Sequence, residues 1–178
     1  MKISNVVHFE FELALGLETA VRFVQDVQQS LSKASFIHDM QLWHDSGQQH
    51  LRASIAVNAA LFGQHDLSFE SIVHPEAQGA WLEPQVLSEK ALGWAEVGGR
   101  ARVQGLAQGS HVSYDFDITI HLDLPEPEKW GGRALLKMIH FTAERVLSTI
   151  TEAFPAAVQE AADAFEAELR QQYQLTES

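Results

Sequence analysis

The chain has 178 residues, 46% of them apolar, and a formal net charge of −12. Its length and apolar share suit a globular domain with a core of its own. Its charge, with no basic stripe to offset it, argues against nucleic acid and anionic membrane surfaces as partners. There is no cysteine, which excludes disulfides and thiolate chemistry and suits a reducing compartment.

Met1 to Asn5 lacks the apolar run of a signal peptide, and no stretch approaches the ~20 apolar residues of a membrane span. A cytoplasmic protein with no membrane insertion is the expectation. Val7, Phe9, Phe11 and Leu13 alternate with His8, Glu10 and Glu12, the period of a half-buried strand. After Gly16, the residues Leu17, Val21, Val24, Val27 and Leu31 follow helical spacing to about Ala34, with room for a break into two short helices.

Phe36 to Trp43 reads as a second strand, closed by a turn at Asp45-Ser46-Gly47. Leu51, Ala53, Ile55, Val57, Ala59 and Leu61 form a long alternating strand, and Gly63-Gln64-His65-Asp66 turns the chain into Leu67, Phe69, Ser71 and Val73. His74-Pro75-Glu76 is the next expected turn. Ala80 to Leu87 makes a weaker strand, because Pro84 suits an edge or a bulge. Gly93 to Ala107 is a long strand with a bulge expected at Gly98-Gly99, and Ala107-Gln108-Gly109-Ser110 turns it into the next one.

In that last strand Val112, Tyr114, Phe116, Ile118, Ile120, Leu122 and Leu124 share one face, while Ser113, Asp115, Asp117, Thr119, His121 and Asp123 share the other. One face is core and the other water. Pro125 and Pro127 then precede Trp130-Gly131-Gly132-Arg133 and a long helical segment. Leu135, Ile139, Val146, Ile150 and Ala153 fall on its core face, with Met138, Thr142 and Thr149 along one flank. Lys137, Glu144, Ser148 and Glu152 lie opposite, and Phe141 is out of place among them.

Pro155 is expected to bend or break this helix. Beyond it Val158, Ala161, Phe165, Leu169 and Tyr173 form a second stripe, displaced from the first. A straight helix from Arg133 to Gln172 would run about 60 Å at 1.5 Å per residue, against roughly 30–35 Å for a compact domain of this size. The segment after Pro155 is therefore expected to fold back, protrude or meet a second copy.

The order strand, helix, about six strands, long helix resembles the helix-grip superfamily (SRPBCC), which includes START domains, Bet v 1-like proteins and polyketide cyclase-like proteins. Gly99-Arg100-Ala101-Arg102-Val103, a long strand ending in proline, and Trp130-Gly131-Gly132-Arg133 before the terminal helix carry that resemblance. It covers nearly the whole chain in layout. It implies an α+β fold, one domain over 1–178 with 155–178 as a helical extension, in which a curved antiparallel sheet of about six or seven strands wraps a long C-terminal helix. It also implies pairing of the first and last strands and an apolar cavity between sheet and helix. The cavity wall would then include Tyr114, Phe116 and Ile118 from the last strand, Met138, Thr142 and Thr149 from the helix, and Val97, Gly99, Ala101 and Val103 from the long central strand. Two departures stand out: the first helical segment lacks the proline-bounded turn of many members, and the final helix runs further than the grip requires.

The residues that invite specific chemistry have plainer readings. His140 and Glu144 are an i, i+4 pair on the polar side of the helix with no third ligand, so no metal is expected. Ser30-Leu31-Ser32-Lys33 matches a Ser-x-x-Lys spacing without its companion motifs. His8, Glu10 and Glu12 beside Asp115, Asp117, His121 and Asp123 read as the wet face of a sheet. Trp81 and Trp94 fall on that outer side too. No nucleotide-binding loop, zinc-protease motif or nucleophile elbow is present, and no cofactor is expected.

Three readings of function follow. The first is non-catalytic binding of a small apolar or amphipathic molecule, or a lipid, in the cavity. The second is a cyclase- or dehydratase-like enzyme using Tyr114 and a histidine as acid and base. The third is an interaction module that forms a homodimer through the helix after Pro155.

Overall fold

The computed structural model describes residues 1–59, 63–87, 93–122 and 132–176, with side chains except at 57–59, 63–65, 132, 133, 135, 136 and 173–176. In chain order the elements are β1 (Lys2–Leu13), α1 (Leu17–Gln25), α2 (Val27–Ser30), β2 (Ile37–Asp45), β3 (Gln48–Ala59), β4 (Gly63–Glu76), β5 (Gly79–Gln85), β6 (Gly93–Gly105), β7 (Ser110–Leu122) and α3 (Gly132–Thr176). The expected strand residues Leu61, Asp123 and Leu124, with Pro125, Pro127 and Trp130-Gly131, lie outside the described residues. So do the side chains of Leu135 and Tyr173.

The strands form one sheet in the order β1-β7-β6-β5-β4-β3-β2. The first strand pairs with the last in continuous antiparallel register, from Lys2 opposite His121 to Leu13 opposite Ser110. Alternation decides which side of each strand enters the core. Val7, Phe9 and Leu13 are buried in β1, Leu51, Ala53 and Ile55 in β3, and Val112, Tyr114, Phe116, Ile118 and Ile120 in β7. At Asp45 the chain reverses through Ser46 and Gly47, both at positive φ, the two-residue hairpin that Gly favours.

Two turn expectations and one bulge need correction. Gly63, Gln64, His65 and Asp66 do not turn the chain but open β4, paired with Ala59, Asn58, Val57 and Ala56 of β3. His74, Pro75 and Glu76 belong to β4 and pair with Trp81, Ala80 and Gly79; the turn is Ala77-Gln78. Proline fits there because the hairpin is closing. No bulge lies at Gly98-Gly99 on the β7 side, where the register is unbroken. What happens at this point is that β5 stops pairing at Leu82 opposite Gly99. β4 then meets β6 directly at Ser68 and Trp94, and the buried Ser71 hydroxyl donates to Val97 O at 2.6 Å. Gly99 is needed for another reason: its φ is +152°, and a Cβ would lie 2.7 Å from Phe116 Cδ1. A register shift does occur in β2, between His38 and Gln41 around Asp39 at φ 52°, where it disturbs an edge strand and discourages pairing with other chains.

Of the expected bend or break at Pro155, the break does not occur: the helix α3 runs on through the proline. Proline removes one backbone donor and crowds the carbonyl four residues back, but the residues on either side, Phe154 and Val158, are both fixed in the core. Among the described side chains the buried positions are Ile139, Ala143, Leu147, Ile150, Phe154, Ala157, Val158, Ala161 and Ala162. These form one drifting stripe rather than two, with steps of four, four and three. Val146 is only partly buried and Ala153 is exposed. Past the proline, Phe165 meets Phe23 of α1 with ring centroids 5.5 Å apart, and Leu169 also packs on the core. Of the second stripe, Val158 and Ala161 are buried and Phe165 and Leu169 partly buried within the chain. Toward the start of α3, Met138 and Phe141 are 51% and 65% exposed.

Candidate functional site

Between the sheet and α3 the core is filled by aromatic rings. Phe154 lies 4.8 Å from Phe116, 5.5 Å from Phe9 and 5.9 Å from Phe36 between centroids. A cavity opens elsewhere, between the inner face of β5–β7 and the roof made by α1 and α2. Val24, Val27, Ser30 and Leu31 line it from above, and Ala80, Leu82, Gly99, Ala101, Tyr114 and Phe116 from below. It exists because β5 and β6 carry small residues there, Ala80, Gly99 and Ala101, so the roof helices stand off the sheet. The space open to the centre of a water molecule is about 20 Å³, enough for one water.

Tyr114 is the polar group of this cavity. It is 3% exposed, stacks on Phe9 at 4.9 Å, and among the described residues its hydroxyl makes no well-formed hydrogen bond, the Ser30 hydroxyl being close enough only for a weak one. A buried hydroxyl without a partner is destabilising. Burial also pushes the phenol pKa well above its ordinary value, opposed only in part by the Ser30 hydroxyl. Tyr114 therefore keeps its proton and can donate a hydrogen bond. Ser30, also buried, donates to Val27 O at 3.3 Å, which leaves its oxygen lone pairs to accept. The site offers one donor and one acceptor in an apolar setting, with no histidine, aspartate or glutamate among the described lining residues.

Of the residues singled out from the sequence, Tyr114, Phe116, Gly99 and Ala101 meet at this cavity. Ile118, Val97 and Val103 are buried in the surrounding core. Met138, Thr142 and Thr149 are not brought there: Met138 is exposed, and Thr142 and Thr149 donate to Met138 O and Arg145 O of their own helix. The lining residues the sequence reading did not assign are Ala80 and Leu82 of β5 and, in the roof, Ser30, Val24, Val27 and Leu31. Three of the four in the roof belong to the apolar stripe at helical spacing, so a lone serine inside that stripe was the available signal.

The outer face of the sheet is a lattice of histidines and carboxylates. His8 Nδ1 donates to Asp115 at 2.7 Å, while His50, His74 and His121 approach Glu70, Glu83 and Glu96 at 3.5, 2.8 and 3.2 Å. Three of these rings stack on tryptophans directly across a strand pair: Trp43 on His50, Trp81 on His74 and Trp94 on His121. The hydrogen bond to Asp115, with that carboxylate and Glu10 as further charges, raises the His8 pKa. Among the described residues no three His, Asp or Glu side chains are grouped to hold a metal ion. No helix is long and apolar enough to cross a membrane, again among the described residues.

The family of proteins of unknown function DUF3809 matches residues 8–152, and the chain belongs to it. No curated protein matches. Among solved structures it is similar to the di-domain ARO/CYC StfQ from the steffimycin biosynthetic pathway, at 13% identity and a TM-score of 0.54, over 93% of this chain and 52% of that one. It is similar to the Zhui aromatase/cyclase from Streptomyces sp. R1128 at 12% identity and a TM-score of 0.54, over 89% of this chain and 94% of that one. A second di-domain ARO/CYC, BexL from the BE-7585A biosynthetic pathway, gives 17% identity and a TM-score of 0.52, over 89% and 50%. The chain spans about half the length of the two di-domain proteins. At these identities the likeness is one of fold, and the fold is the helix grip.

Proposed function

We propose that this member of the DUF3809 family binds one small, uncharged, mostly apolar molecule beneath α1 and α2, without catalysing a reaction. The observation that carries the reading is the Tyr114 hydroxyl, buried, without a well-formed hydrogen bond and facing a cavity. A core that leaves a hydroxyl unpaired carries a cost that a ligand oxygen would remove. The rest of the lining is apolar, and nothing in it would balance a ligand charge. Ligand-holding is also in keeping with the aromatase/cyclase proteins among the similar structures. An acid–base enzyme is less well supported. It needs two convergent groups with different proton affinities, and the lining holds two hydroxyls.

The test is titration with a neutral apolar fluorophore such as N-phenyl-1-naphthylamine, on the natural chain and on Ala101→Leu. The added carbons enter the cavity, so saturable binding to the natural chain should be lost in a variant that still folds. Equal binding to both would place any ligand elsewhere and refute the reading.

A further inference from the structure

The cavity has room for about one water, whereas sites for organic ligands typically occupy a few hundred Å³. A ligand can enter only if part of the wall moves. The floor is strand backbone paired on both sides, so the roof is the part to consider, and its two helices are held very differently.

α1 is fastened from several directions. Ala20 and Phe23 are fully buried, and Phe23 packs on Phe165 of α3. At its C-terminal end the Gln25 side-chain amide donates to Glu76 O at 2.8 Å and Gly79 O at 3.2 Å, on either side of the Ala77-Gln78 turn. Residues 27–35 have no such tie. Their backbone hydrogen bonds among the described residues stay between Asp26 and Ile37: Ser30 N to Asp26 O, Leu31 N to Val27 O, Ser32 N to Gln29 O, and Ile37 N to Ala34 O; the polar approach to the sheet is the weak one of the Ser30 hydroxyl to Tyr114. What seats them is apolar packing of Val27, Leu31 and Ala34.

The two pieces meet at one residue. Asp26 is non-helical, with φ −83° and ψ 86°, and it serves both ends. Its N–H closes α1 on Arg22 O at 3.0 Å. Its carboxylate caps α2 by accepting from Gln29 N–H at 3.0 Å. Each piece therefore keeps its own hydrogen bonds if the backbone turns at Asp26. On the far side, Phe36 is anchored on Phe154, and its carbonyl accepts from Ala56 N–H at 3.0 Å.

We propose that residues 27–35 form a door, hinged at Asp26 and Phe36, which opens over the Tyr114 side of the cavity while α1 stays seated. The door's role in admitting a ligand rests on the binder reading above; the motion itself does not. Opening would carry Ser30 away from Tyr114 and withdraw Val27 and Leu31 from the lining, which enlarges the cavity without breaking a sheet bond.

The absence of cysteine makes the test direct. Ser30→Cys and Val24→Cys each place a single buried thiol at the same cavity, one on the door and one on the fixed helix. Labelling with a thiol reagent at low urea should be about tenfold or more faster at position 30, because local opening is more frequent than global unfolding. Its rate should depend little on urea, whereas position 24 should track global unfolding. Equal rates at the two positions, whether both slow or both fast, would overturn the proposal. Amide exchange on the unsubstituted chain gives a second reading: protection of residues 27–35 equal to that of 17–25 would also overturn it. Adding N-phenyl-1-naphthylamine separates the two ideas. Slower labelling at position 30 supports a ligand behind the door, while a difference between the two cysteines that the probe leaves unchanged supports the door and counts against the binder.

Discussion

Replacing Tyr114 by Phe should make the protein more stable while removing its grip on a ligand. The substitution deletes one oxygen and keeps the ring, so the stacking on Phe9 and on Phe116, with centroids 4.9 and 5.6 Å away, is retained. An unpaired buried hydroxyl costs about 1–3 kcal/mol. One water in the cavity and the nearby Ser30 hydroxyl recover part of that, which leaves a gain of about 1 kcal/mol on its removal. For a chain of 178 residues that corresponds to a rise in Tm of about 2–4 °C. Urea unfolding at unchanged m-value, with a thermal scan beside it, measures the effect. A loss of about 1 kcal/mol or more would mean that the hydroxyl has a structural partner, and the reasoning that makes it a ligand anchor would fail.

Other substitutions probe the frame around the site. Phe154→Ala should lose about 3–5 kcal/mol by urea unfolding, since its ring fills the space between sheet and helix; a loss below about 1 kcal/mol would mean that the cluster is not packed. Pro155→Ala should leave α3 intact by circular dichroism and raise stability by about 1–3 kcal/mol, because an interior proline is the least favourable helix residue; a destabilised variant would show that the helix needs its proline. Gly99→Ala should lose about 1–3 kcal/mol from strain at φ +152° and from the approach to Phe116, and unchanged stability would refute that geometry. For His8 the folded pKa is raised, so the pair with Asp115 favours the folded state fully below the ordinary value of about 6.5. That contribution disappears as pH rises through the folded pKa. The His8 ring resonance in Asp115→Asn should titrate at lower pH than in the natural chain, and an unmoved midpoint would contradict the pairing.

Much of the fold was legible because the sheet is wet on one side. In β7 every second residue from Val112 to Ile120 is buried, and that alternation alone gives the face of Tyr114 and Phe116. The two short helices around Asp26 were likewise readable from spacing. The phase of α3 was not. Ile139 and Ile150 of the expected core face are buried, but counting Val146 and Ala153 with them turned the helix far enough to put Met138, Thr142 and Thr149 on its flank. The buried stripe instead runs through Ala143, Leu147 and Phe154. A helix this long carries more apolar residues than one face can use, Met138 and Phe141 among those left outside, so composition cannot fix its rotation. Pro155 misled for a related reason: a local penalty of a few kcal/mol is outweighed where both neighbouring turns are held in a core.

The site was half legible. Small residues at Gly99 and Ala101 signalled either close packing or space, and only the position of the roof decides between them. Ser30 was visible as part of a Ser-x-x-Lys coincidence, but its relevance comes from facing Tyr114 across the cavity, a contact between residues far apart in the chain.

The central claim is that a small uncharged molecule occupies this cavity in the cell. Native mass spectrometry of the chain purified from its own host tests it most directly. One small molecule per chain, released on denaturation and lost in Ala101→Leu, is the predicted result. A bare natural chain that also fails to take up any neutral apolar compound offered to it would contradict the claim.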